Sequence, residues 1–497
     1  MAETNSRFDV LVVGGGPGGY VAAIRAAQMG MKTALVEGHK LGGECLNYGC
    51  IPSKALISAG HLIDKIKGGE KMGISVSSLE VDLAKLIDWK GGVVKTLTGG
   101  IGQLLKANGV THFKGQGSFV SKTKDAQGFV VQVDAGIDPY HGTGVSTDKT
   151  LIESKNVIVA TGSTIAQIPS MPFDGKYILH SRDALEVKKI PKKVTLIGGG
   201  VIGLEIGSFF AKLGTELTVV EATGTLLPGT DKECVDVVTK KLAKKGVKIH
   251  LSSKALKFEK TANGTILEVQ TPTEKLKIES DWILVAVGRR PRTQGLNLDS
   301  VGIKCNEQGF IPVNSRLETA VKGIYAIGDV VGNPMLAHKA SKEGLVAVEG
   351  IKNPAVSMDI RALPWAIFCD PEIAGVGHSE ESAKAAGWDP VVGKCPFAAN
   401  GRALASGESD GFIKIIADRK TDRVLGCHMV GPDVSNMVAE VALAIEMGAT
   451  SEDLARTVHA HPTLPETLME AAESVHGLAV HFFEKKERRV SHLHPST

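Results

Sequence analysis

The sequence predicts an α/β protein in which two parallel-sheet units are followed by an α+β domain. A short apolar run, a glycine-rich turn and a helix-forming stretch follow one another near the N-terminus. The same order returns near residue 195. From about residue 356 the pattern changes, and strands such as 411–417 and 423–430 alternate with helices such as 435–447. The chain of 497 residues is long enough for about two to four domains.

The first unit has the strand–helix–strand order of a βαβ motif. Residues 8–13 form an apolar run typical of a buried parallel strand, and residues 20–29 carry helix formers at helical spacing. Residues 32–36 form a second strand, which ends on Glu37. The turn between the first strand and the helix contains Gly14, Gly16 and Gly19.

The second unit repeats this arrangement. Its turn contains Gly198, Gly200 and Gly203, and its second strand ends on Glu221. The spacing of 23 residues from first glycine to acid is the same in both units. One such glycine motif is weak evidence, but two complete copies predict two Rossmann-like dinucleotide-binding domains, in which the acid accepts hydrogen bonds from ribose hydroxyls. The alternative is a pair of tight turns without ligands.

The second site favours NAD over NADP. Glu221 is followed by Ala222 and Thr223, and no nearby arginine is placed to bind a 2′-phosphate.

The remaining segments predict helices, strands and one polar loop. We expect helices at 55–67 and at 83–108, the latter broken at Gly91–Gly92, then short strands near 110–135 and a polar loop at 136–149. Further strands are predicted at 156–160, at 282–291 and at 323–330, the last with Asp329 at its carboxyl end. Ligands collect at the carboxyl ends of strands in open α/β sheets.

Composition argues against several classes of partner. A net charge of +3 is too small to indicate a nucleic-acid partner, and 5% aromatic residues give few platforms for base stacking. No apolar run reaches 18 residues, so no membrane partner is expected. The first residues, MAETNSRFDV, have neither a basic nor a long apolar region of a targeting peptide. Seven cysteines, five of them scattered singly, predict a reducing, cytoplasmic location.

Two cysteines are close together in the segment LGGECLNYGCIPSK, at residues 41–54. In a regular helix the Cα atoms of Cys45 and Cys50 would be roughly 8–9 Å apart, beyond the roughly 4.4–6.8 Å that a disulfide needs. The backbone there must therefore be irregular if the two are to bond, and Asn47 and Gly49 tolerate such a backbone. Pro52 favours a helix that begins nearby. A redox pair is favoured over unpaired core thiols or a metal site, which would need a second ligand pair that the spacing does not offer.

The segment GGECLNYGCIPSK resembles the active-site sequence of the class I pyridine nucleotide–disulfide oxidoreductases. Two further stretches, MLAHKASKEG at 335–344 and HAHPTLPE at 459–466, are similar to the lipoamide branch of that family. The resemblance covers roughly residues 7–480 and implies a glutathione-reductase-like fold that works as a homodimer. It implies an FAD-binding domain at 1–155, an NAD-binding domain at 156–285, a central domain at 286–355, an interface domain at 356–484 and a flexible tail at 485–497.

The resemblance also assigns roles by position. Cys45 resembles the thiol that exchanges with the substrate, and Cys50 the thiol that lies against the flavin. Lys54 resembles a lysine beside flavin N5, and Glu205 its acidic partner; alone, each would be an ordinary surface residue. His461 resembles the catalytic base, oriented by Glu466 and supplied by the opposite subunit. The residues expected around FAD are Gly14, Gly16, Gly19, Glu37, Lys54, Gly117, Thr161, Gly162, Ser163, Asp329, Met335, Leu336, Ala337 and His338, and those around NAD are Gly198, Gly200, Gly203, Glu221 and Gly288. No metal ligand is expected.

Some of these residues have plainer interpretations. Thr463 and Glu466 have the spacing of a capping box, so Glu466 is also explained as a helix cap, and His461 before Pro462 as a turn residue. His338 is equally consistent with a packed histidine, and the glycines with turns.

The resemblance implies oxidation of protein-bound dihydrolipoamide with reduction of NAD⁺, through a redox-active disulfide and FAD. The expected partners are lipoyl domains of 2-oxoacid dehydrogenase complexes or of the glycine cleavage carrier protein. The alternatives are another NAD(P)H-dependent disulfide reductase or a mercuric reductase of the same fold, or a non-catalytic flavoprotein subunit. Mercuric reductases add a C-terminal cysteine pair, whereas the last cysteine here is Cys427.

The chain departs from the family pattern at three positions. Glu44 stands where a small polar residue, often Thr, is usual, and its charge is expected to raise the pKa of the neighbouring thiols. Tyr48 replaces a smaller residue, and Pro465 stands where Ser is usual, which a first helical turn accepts.

Overall fold

The computed structural model describes residues 2–136 and 148–483, with side chains from residue 7 onward. The predicted tail at 485–497 and nearly all of the predicted polar loop at 136–149 lie outside the described residues. The chain divides into two compact units. The first unit comprises Met1–Ile190 and Leu284–Asp359, and the second comprises Pro191–Ile283 and Ile360–Thr497. The predicted division into four domains and a tail stays a prediction.

The strands, in chain order, are β1 Ala2–Val13, β2 Thr33–Glu37, β3 Thr111–Lys114, β4 Gln116–Lys122, β5 Phe129–Asp134, β6 Lys149–Val159, β7 Ser163–Ile165, β8 Ile178–Leu179, β9 Lys193–Ile197, β10 Glu216–Val220, β11 Lys248–His250, β12 Lys254–Thr261, β13 Gly264–Gln270, β14 Lys275–Ser280, β15 Trp282–Val285, β16 Arg289–Pro291, β17 Ile324–Ala326, β18 Trp365–Ile367, β19 Glu372–Gly377, β20 Pro390–Pro396, β21 Phe412–Asp418 and β22 Val424–Gly431.

The α-helices are α1 Pro17–Gln28, α2 Gly43–Tyr48, α3 Cys50–Gly68, α4 Leu83–Ala107, α5 Ser181–Ala184, α6 Val201–Lys212, α7 Lys232–Lys244, α8 Ala337–Lys352, α9 Glu380–Ala385, α10 Gly401–Ser406, α11 Val434–Met447, α12 Ser451–Arg456 and α13 Glu466–Val475. Within the described ranges, none of them combines the length and the apolar character that a membrane crossing requires.

The first unit is built on a sheet in the order β3-β2-β1-β6-β5-β4, with β17 also paired to β6. Strands β1, β2, β3, β6 and β17 run parallel, whereas β4 and β5 join antiparallel to the edge of β6. Both faces of the parallel part are covered. Val10 and Val12 pack into a core cluster with α1 and α8, while Leu11 and Val13 pack into a cluster on the opposite face. Alternate residues of β1 therefore serve two cores, as expected of a strand buried on both sides.

The second unit contains a parallel sheet and two antiparallel sheets. Strands β9, β10 and β11 are parallel, and α6 follows β9 through the second glycine turn. Strands β12, β13 and β14 form an antiparallel sheet. After residue 360 the order β18-β19-β22-β21-β20 is antiparallel, with α11 packed on β19 and β22 and α13 on β20 and β21. This last region confirms the expected α+β pattern, and one buried cluster, which includes Ile413, Cys427 and Leu468, forms its core.

The predicted break at Gly91–Gly92 is wrong. Helix α4 runs without interruption from Leu83 to Ala107, after an N-cap in which Asp82 accepts a hydrogen bond from the Lys85 N–H at 3.1 Å. Glycine weakens a helix but keeps its backbone N–H, and neither proline nor an inserted side chain is present to kink it. The apolar face on both sides of the glycine pair, with Ile87 and Ile101 buried, keeps the helix continuous.

Other predicted boundaries also moved. The helix expected at 55–67 begins earlier, at Cys50, with Pro52 in its first turn. The strand expected at 323–330 is limited to β17, and a 3₁₀ turn at Gly328–Val330 carries Asp329. The strand expected to end within 282–291 is β15, and a second short strand, β16, follows Gly288, which adopts a φ of +120°. That conformation lies outside the strand region.

The continuity of α4 yields a stability prediction at Gly91. A Cβ added there would meet no atom within 4 Å, so Gly91→Ala should raise the free energy of unfolding by about 0.5–1 kcal/mol, because alanine restricts the unfolded chain and favours helix. Denaturant-induced unfolding followed by circular dichroism measures the change. The matched control is Gly393→Ala, which should destabilise because its Cβ would lie 2.1 Å from the Ala471 carbonyl oxygen. A destabilised Gly91→Ala variant would contradict a continuous helix.

Candidate active site

The first glycine turn leaves no room for side chains at two of its positions. Gly14 has a φ of +111°, and a Cβ there would lie 2.2 Å from the carbonyl oxygen of Ala160. A Cβ at Gly19 would lie 1.8 Å from the carbonyl oxygen of Gly14. By contrast, the nearest atom to a Cβ at Gly16 is 3.9 Å away, on Gly43. The turn thus packs tightly against the sheet and stays open where α1 begins, as required for a pyrophosphate at a helix N-terminus.

The second turn has the same geometry. Gly198 has a φ of +102°, close to that of Gly14, and Gly203 is buried in the first turn of α6. A Cβ on Gly200 would meet nothing within 4 Å. Gly288, the other glycine predicted for this site, also has open space at its Cβ position and belongs to the first unit.

The two acids hold their turns in the same way. Glu37 Oε2 accepts from the Gly15 N–H at 2.6 Å, and Oε1 from the His39 N–H at 2.7 Å. Glu221 Oε2 accepts from the Gly199 N–H at 2.6 Å, and Oε1 from the Thr223 N–H at 2.7 Å. Each carboxylate keeps lone pairs for further donors, such as ribose hydroxyls.

Burial raises the pKa of the Glu37 carboxyl, and the Gly15 and His39 N–H groups oppose this effect. Open turns and acids with spare acceptor capacity together fit two dinucleotides.

The remaining residues predicted around FAD lie in the first unit, and several of them follow the carboxyl ends of β6 and β17. Ser163 donates to Asp329 Oδ2 at 2.5 Å, which joins the segment after β6 to the 3₁₀ turn after β17. Thr161 donates to the Arg292 carbonyl at 2.7 Å. Gly117 in β4 faces Val13, whose Cγ1 would be 3.0 Å from an added Cβ, and Gly162 has a φ of +71°. The residues predicted from the motif MLAHK lie at the start of α8, at Met335, Leu336, Ala337 and His338.

One supporting residue was missed from the sequence. Glu343 in α8 is buried, accepts from the Gly328 N–H at 2.6 Å and pairs with Lys339 at 2.7 Å. It therefore fixes the turn that carries Asp329. A glutamate four residues after a lysine on one helix was a visible signal, but it is also the commonest surface pattern.

The two cysteines lie on either side of a break between two helices. Helix α2 ends at Tyr48 and α3 begins at Cys50, with Gly49 between them at φ −129° and ψ −105°. The irregular backbone expected between the cysteines is confirmed. Asn47 is buried and donates to the carbonyls of Leu41 and Gly43, both at 2.9 Å, which ties α2 to the loop before it.

The structure holds Cys45 and Cys50 as adjacent thiols that are not bonded to each other through sulfur. A hydrogen bond with the Cys50 side chain, together with burial, raises the pKa of the Cys45 thiol, while the nearby Lys54 ammonium opposes this effect. The pair is thus placed for a sulfur–sulfur bond, and Lys54 on α3 supplies the positive charge that favours a thiolate once that bond opens.

Glu44 does not act as the unpaired charge that the sequence suggested. Its carboxylate pairs with the guanidinium groups of Arg182 and Arg289, and both arginines lie in the first unit. Burial alone would raise the pKa of Glu44, but these two cations hold it below its usual value. Glu44 is therefore not an uncompensated charge beside the thiols, and its expected effect on their pKa stays a prediction. The two arginines were missed because they are distant in sequence.

The predicted partners Lys54 and Glu205 lie in different units. Glu205 is buried in α6, where its Oε1 accepts from the Phe368 N–H at 3.0 Å. This hydrogen bond fixes the orientation of the carboxylate within the second unit.

His461 and Glu466 form the pair that the motif predicted. The His461 Nδ1–H donates to Glu466 Oε1 at 2.8 Å, and Glu466 Oε2 accepts from the Thr463 N–H at 2.7 Å. The second contact is half of a capping box, although α13 begins only at Glu466. Glu466 therefore orients the histidine and ties down its own turn at the same time.

Burial would raise the pKa of Glu466, but the Thr463 N–H and His461 hold it below its usual value. His461 Nε2 makes no hydrogen bond to any described residue, and the side chain is 79% exposed. Its second nitrogen is thus available to a substrate.

Comparison with known families covers nearly the whole chain. A family model for pyridine nucleotide-disulphide oxidoreductases matches residues 8–344, and the model for the dimerisation domain of the same family matches residues 363–472. The chain belongs to the pyridine nucleotide-disulphide oxidoreductase family. The predicted family and fold class are confirmed, and the dimerisation domain supports the expected homodimer.

Relatives within this family are similar over their full length. A dihydrolipoyl dehydrogenase of Haloferax volcanii is 46% identical over 95% of this chain and 97% of its own. One from Geobacillus stearothermophilus is 45% identical over 96% of this chain and 98% of its own. A mitochondrial one from Pisum sativum is 42% identical over 97% of this chain and 94% of its own.

Solved structures of the family share the fold. LpdA from Mycobacterium tuberculosis has a TM-score of 0.86 at 27% identity and covers 94% of this chain and 99% of its own. RclA from Escherichia coli, described as an HOCl-induced flavoprotein disulfide reductase and solved as a Cu(II) complex, has a TM-score of 0.81 at 26% identity, with 94% and 99% covered.

The open position at Gly200 yields a test of the second dinucleotide site. Gly200→Ala leaves the protein fold unstrained, but its methyl group enters the space kept for a pyrophosphate. We expect the KM for NAD to rise about tenfold, equivalent to about 1.4 kcal/mol of binding free energy, with FAD content and melting temperature unchanged. The matched control is Gly68→Ala, which also has open space at its Cβ position. An unchanged KM in Gly200→Ala would exclude this turn from NAD binding.

Proposed function

We propose that the protein oxidises dihydrolipoamide to lipoamide and reduces NAD⁺. The observation that carries this proposal is the placement of Cys45 and Cys50 as adjacent thiols across the helix break at Gly49. Full-length relatives at 42–46% identity named dihydrolipoyl dehydrogenase support the substrate. The protein is an oxidoreductase of this type, and its cofactors are FAD and NAD.

When bound, FAD would supply two-electron redox chemistry between the reduced cysteine pair and NAD⁺. The residues proposed to hold FAD are those of the first glycine turn, Glu37, and the group around Ser163 and Asp329. NAD is proposed to bind at the second glycine turn with Glu221 on its ribose. The Lys54 ammonium is proposed to lie beside the flavin and Glu205 to act as its acidic partner.

The exchange of sulfur bonds reduces the Cys45–Cys50 disulfide as it oxidises the two thiols of the substrate. In the oxidised enzyme Cys45 and Cys50 share a disulfide. One substrate thiolate attacks Cys45 Sγ, the Cys45–Cys50 bond breaks, and Cys50 leaves as a thiolate. The second substrate thiol then displaces Cys45, which releases lipoamide and leaves both enzyme sulfurs reduced.

His461 is proposed to accept the proton of the attacking substrate thiol, and the Cys45 sulfur takes up the proton of the second thiol as it leaves. His461 Nδ1 is engaged by Glu466, so Nε2 is the nitrogen that takes the proton of the attacking thiol, and the nearby carboxylate stabilises the resulting imidazolium. In the homodimer that the dimerisation domain supports, His461 of one subunit is proposed to serve the cysteine pair of the other.

The proposed partners are lipoyl domains, either of 2-oxoacid dehydrogenase complexes or of the glycine cleavage carrier protein. A cytoplasmic location likewise stays a prediction. The alternative disulfide and mercuric reductases differ from this proposal in the substrate that they would turn over.

A substrate comparison tests the activity directly. We expect turnover of dihydrolipoamide with NAD⁺ and little with NADP⁺, glutathione disulfide or Hg²⁺, measured as steady-state kcat/KM. Cys50→Ser should abolish lipoamide turnover and the long-wavelength absorption band of the reduced enzyme while FAD stays bound, because Cys45 alone cannot form the disulfide that takes electrons from the substrate. The control is Cys305→Ser at an exposed cysteine, which should keep full activity. Full lipoamide turnover by Cys50→Ser would refute the assignment.

Substitution of His461 tests the proton acceptor. His461→Ala should lower kcat for dihydrolipoamide by about 10²–10⁴-fold, the usual contribution of a general base, with the dimer intact in size-exclusion chromatography. The control is His378→Ala. The His378 ring hydrogen-bonds to Ser382, and this variant should have the kcat of the wild type. Near-normal rates in His461→Ala would remove it from the mechanism.

A further inference from the structure

A cluster of three charged side chains joins the residue next to Cys45 in the chain to two distant segments. We call Glu44, Arg182 and Arg289 the Glu44 cluster. Arg182 Nε donates to Glu44 Oε1 at 3.2 Å and Arg182 Nη2 donates to Oε2, so this guanidinium binds both carboxylate oxygens. Arg289 Nη1 donates to Oε1 at 3.2 Å. The side chains are only 23%, 13% and 11% exposed, in the order named, so their charges are weakly screened.

Arg182 contacts helix α2 at a second point. Its guanidinium lies over the ring of Tyr48, 4.5 Å from the ring centre. Glu44 and Tyr48 are four residues apart on α2 and therefore share one face of that helix, with Cys45 between them in the chain. The Tyr48 hydroxyl is in turn hydrogen-bonded to His39 Nε2. One arginine thus holds both ends of the short helix that carries Cys45.

Arg289 extends the cluster toward the flavin site. Its Nε donates to Ser163 Oγ at 2.7 Å and its Nη2 to the Ser163 carbonyl at 3.2 Å. Ser163 donates to Asp329 at 2.5 Å. A continuous series of hydrogen bonds therefore runs from Glu44 to the Asp329 carboxylate, which is proposed to help hold FAD.

Arg182 contacts both Glu44 and Tyr48 on one face of α2. Together with Arg182 they form a bidentate ion pair and a cation–ring contact.

We propose that Arg182 is a positioning residue, which together with Glu44 and Arg289 fixes helix α2 and sets the local charge at Cys45. This inference rests on the proposed function, because it treats Cys45 as the exchanging thiol. Glu44 supplies one negative charge and the arginines two positive charges, so the cluster leaves a positive excess next to that thiol. Loss of either sign of charge changes this excess in a predictable direction.

Other groups also face Cys45 and stay the same in the test. Cys50 and Lys54 act on Cys45 from α3. Tyr20 faces it from α1: burial is the main cause that raises the pKa of the Tyr20 hydroxyl, and charge on Cys45 is the second. Because these groups are common to every variant below, differences between variants report the Glu44 cluster.

The experiment measures alkylation of Cys45 by iodoacetamide in the reduced holoenzyme as a function of pH, with the site quantified by mass spectrometry. Arg182→Met leaves Glu44 with one cation and should raise the apparent pKa of the Cys45 thiol by about one pH unit. Glu44→Gln leaves two arginines uncompensated and should lower it by about the same amount. The double variant should return to within a few tenths of the wild-type value, and Arg182→Lys should keep most of the wild-type behaviour because the charge is retained.

Opposite shifts in the two single variants distinguish a charge effect from loosening of α2, which would move both in one direction. Arg7→Met is the matched control, since Arg7 pairs with Asp125 at 2.6 Å elsewhere in the first unit and should leave the profile unchanged. Shifts of the same sign, or none, would overturn the proposal. If one single variant loses FAD, the other single variant and Arg182→Lys decide: a shift of the expected sign in the first and a wild-type profile in the second support the proposal, and any other result overturns it.

The result is separable from the proposed function. Absence of dihydrolipoamide turnover in the wild type would reject the proposed substrate, whereas the alkylation profiles require no substrate and would still report whether the cluster controls Cys45.

Discussion

The activity of this protein depends on a break in a helix. Five residues apart on a continuous helix, two cysteines cannot reach bonding distance. The chain meets this constraint with Gly49, whose backbone angles end α2 and let α3 begin at the second cysteine. The break alone does not hold the two sulfurs in place. Asn47 ties the preceding helix to its loop by a hydrogen bond. Arg182 pairs with Glu44 on the same helix. Together these contacts hold the irregular segment in place.

The two dinucleotide sites show how much of a binding site is set by the backbone. Both turns have a left-handed first glycine, and both acids accept from the same two N–H positions at the same distances. The residues that differ between the sites lie outside this frame. One turn adjoins the cysteine helix and the Ser163–Asp329 contact, whereas the other adjoins β10 and its neighbours in the second unit. The geometry that the two turns share suits nucleotide binding, and the residues around each turn determine the chemistry available to the nucleotide.

The sequence predicted features that depend on local spacing and missed those that depend on distant contacts. The βαβ units, the irregular backbone at the cysteines and the His461–Glu466 contact all involve residues within one repeat or one turn, where period and steric limits leave few choices. The break at Gly91–Gly92 was wrong because intrinsic preference yields to the packing of a long apolar face. Glu44 was misread because its partners are 138 and 245 residues away. No spacing rule finds such pairs. The cations paired with a buried carboxylate offset its negative charge, so its effect on neighbouring groups cannot be judged from the sequence alone.

Glu466 affects the conformational entropy that the His461 side chain loses during catalysis. Because one carboxylate oxygen is fixed by the Thr463 amide and the other by the imidazole, the histidine ring has its tautomer and its rotation selected before any thiol arrives. An exposed side chain would otherwise sample several rotamers and lose that freedom at each turnover. Here the entropy is lost once, during folding. The proposed base is therefore preorganised before any substrate reaches it.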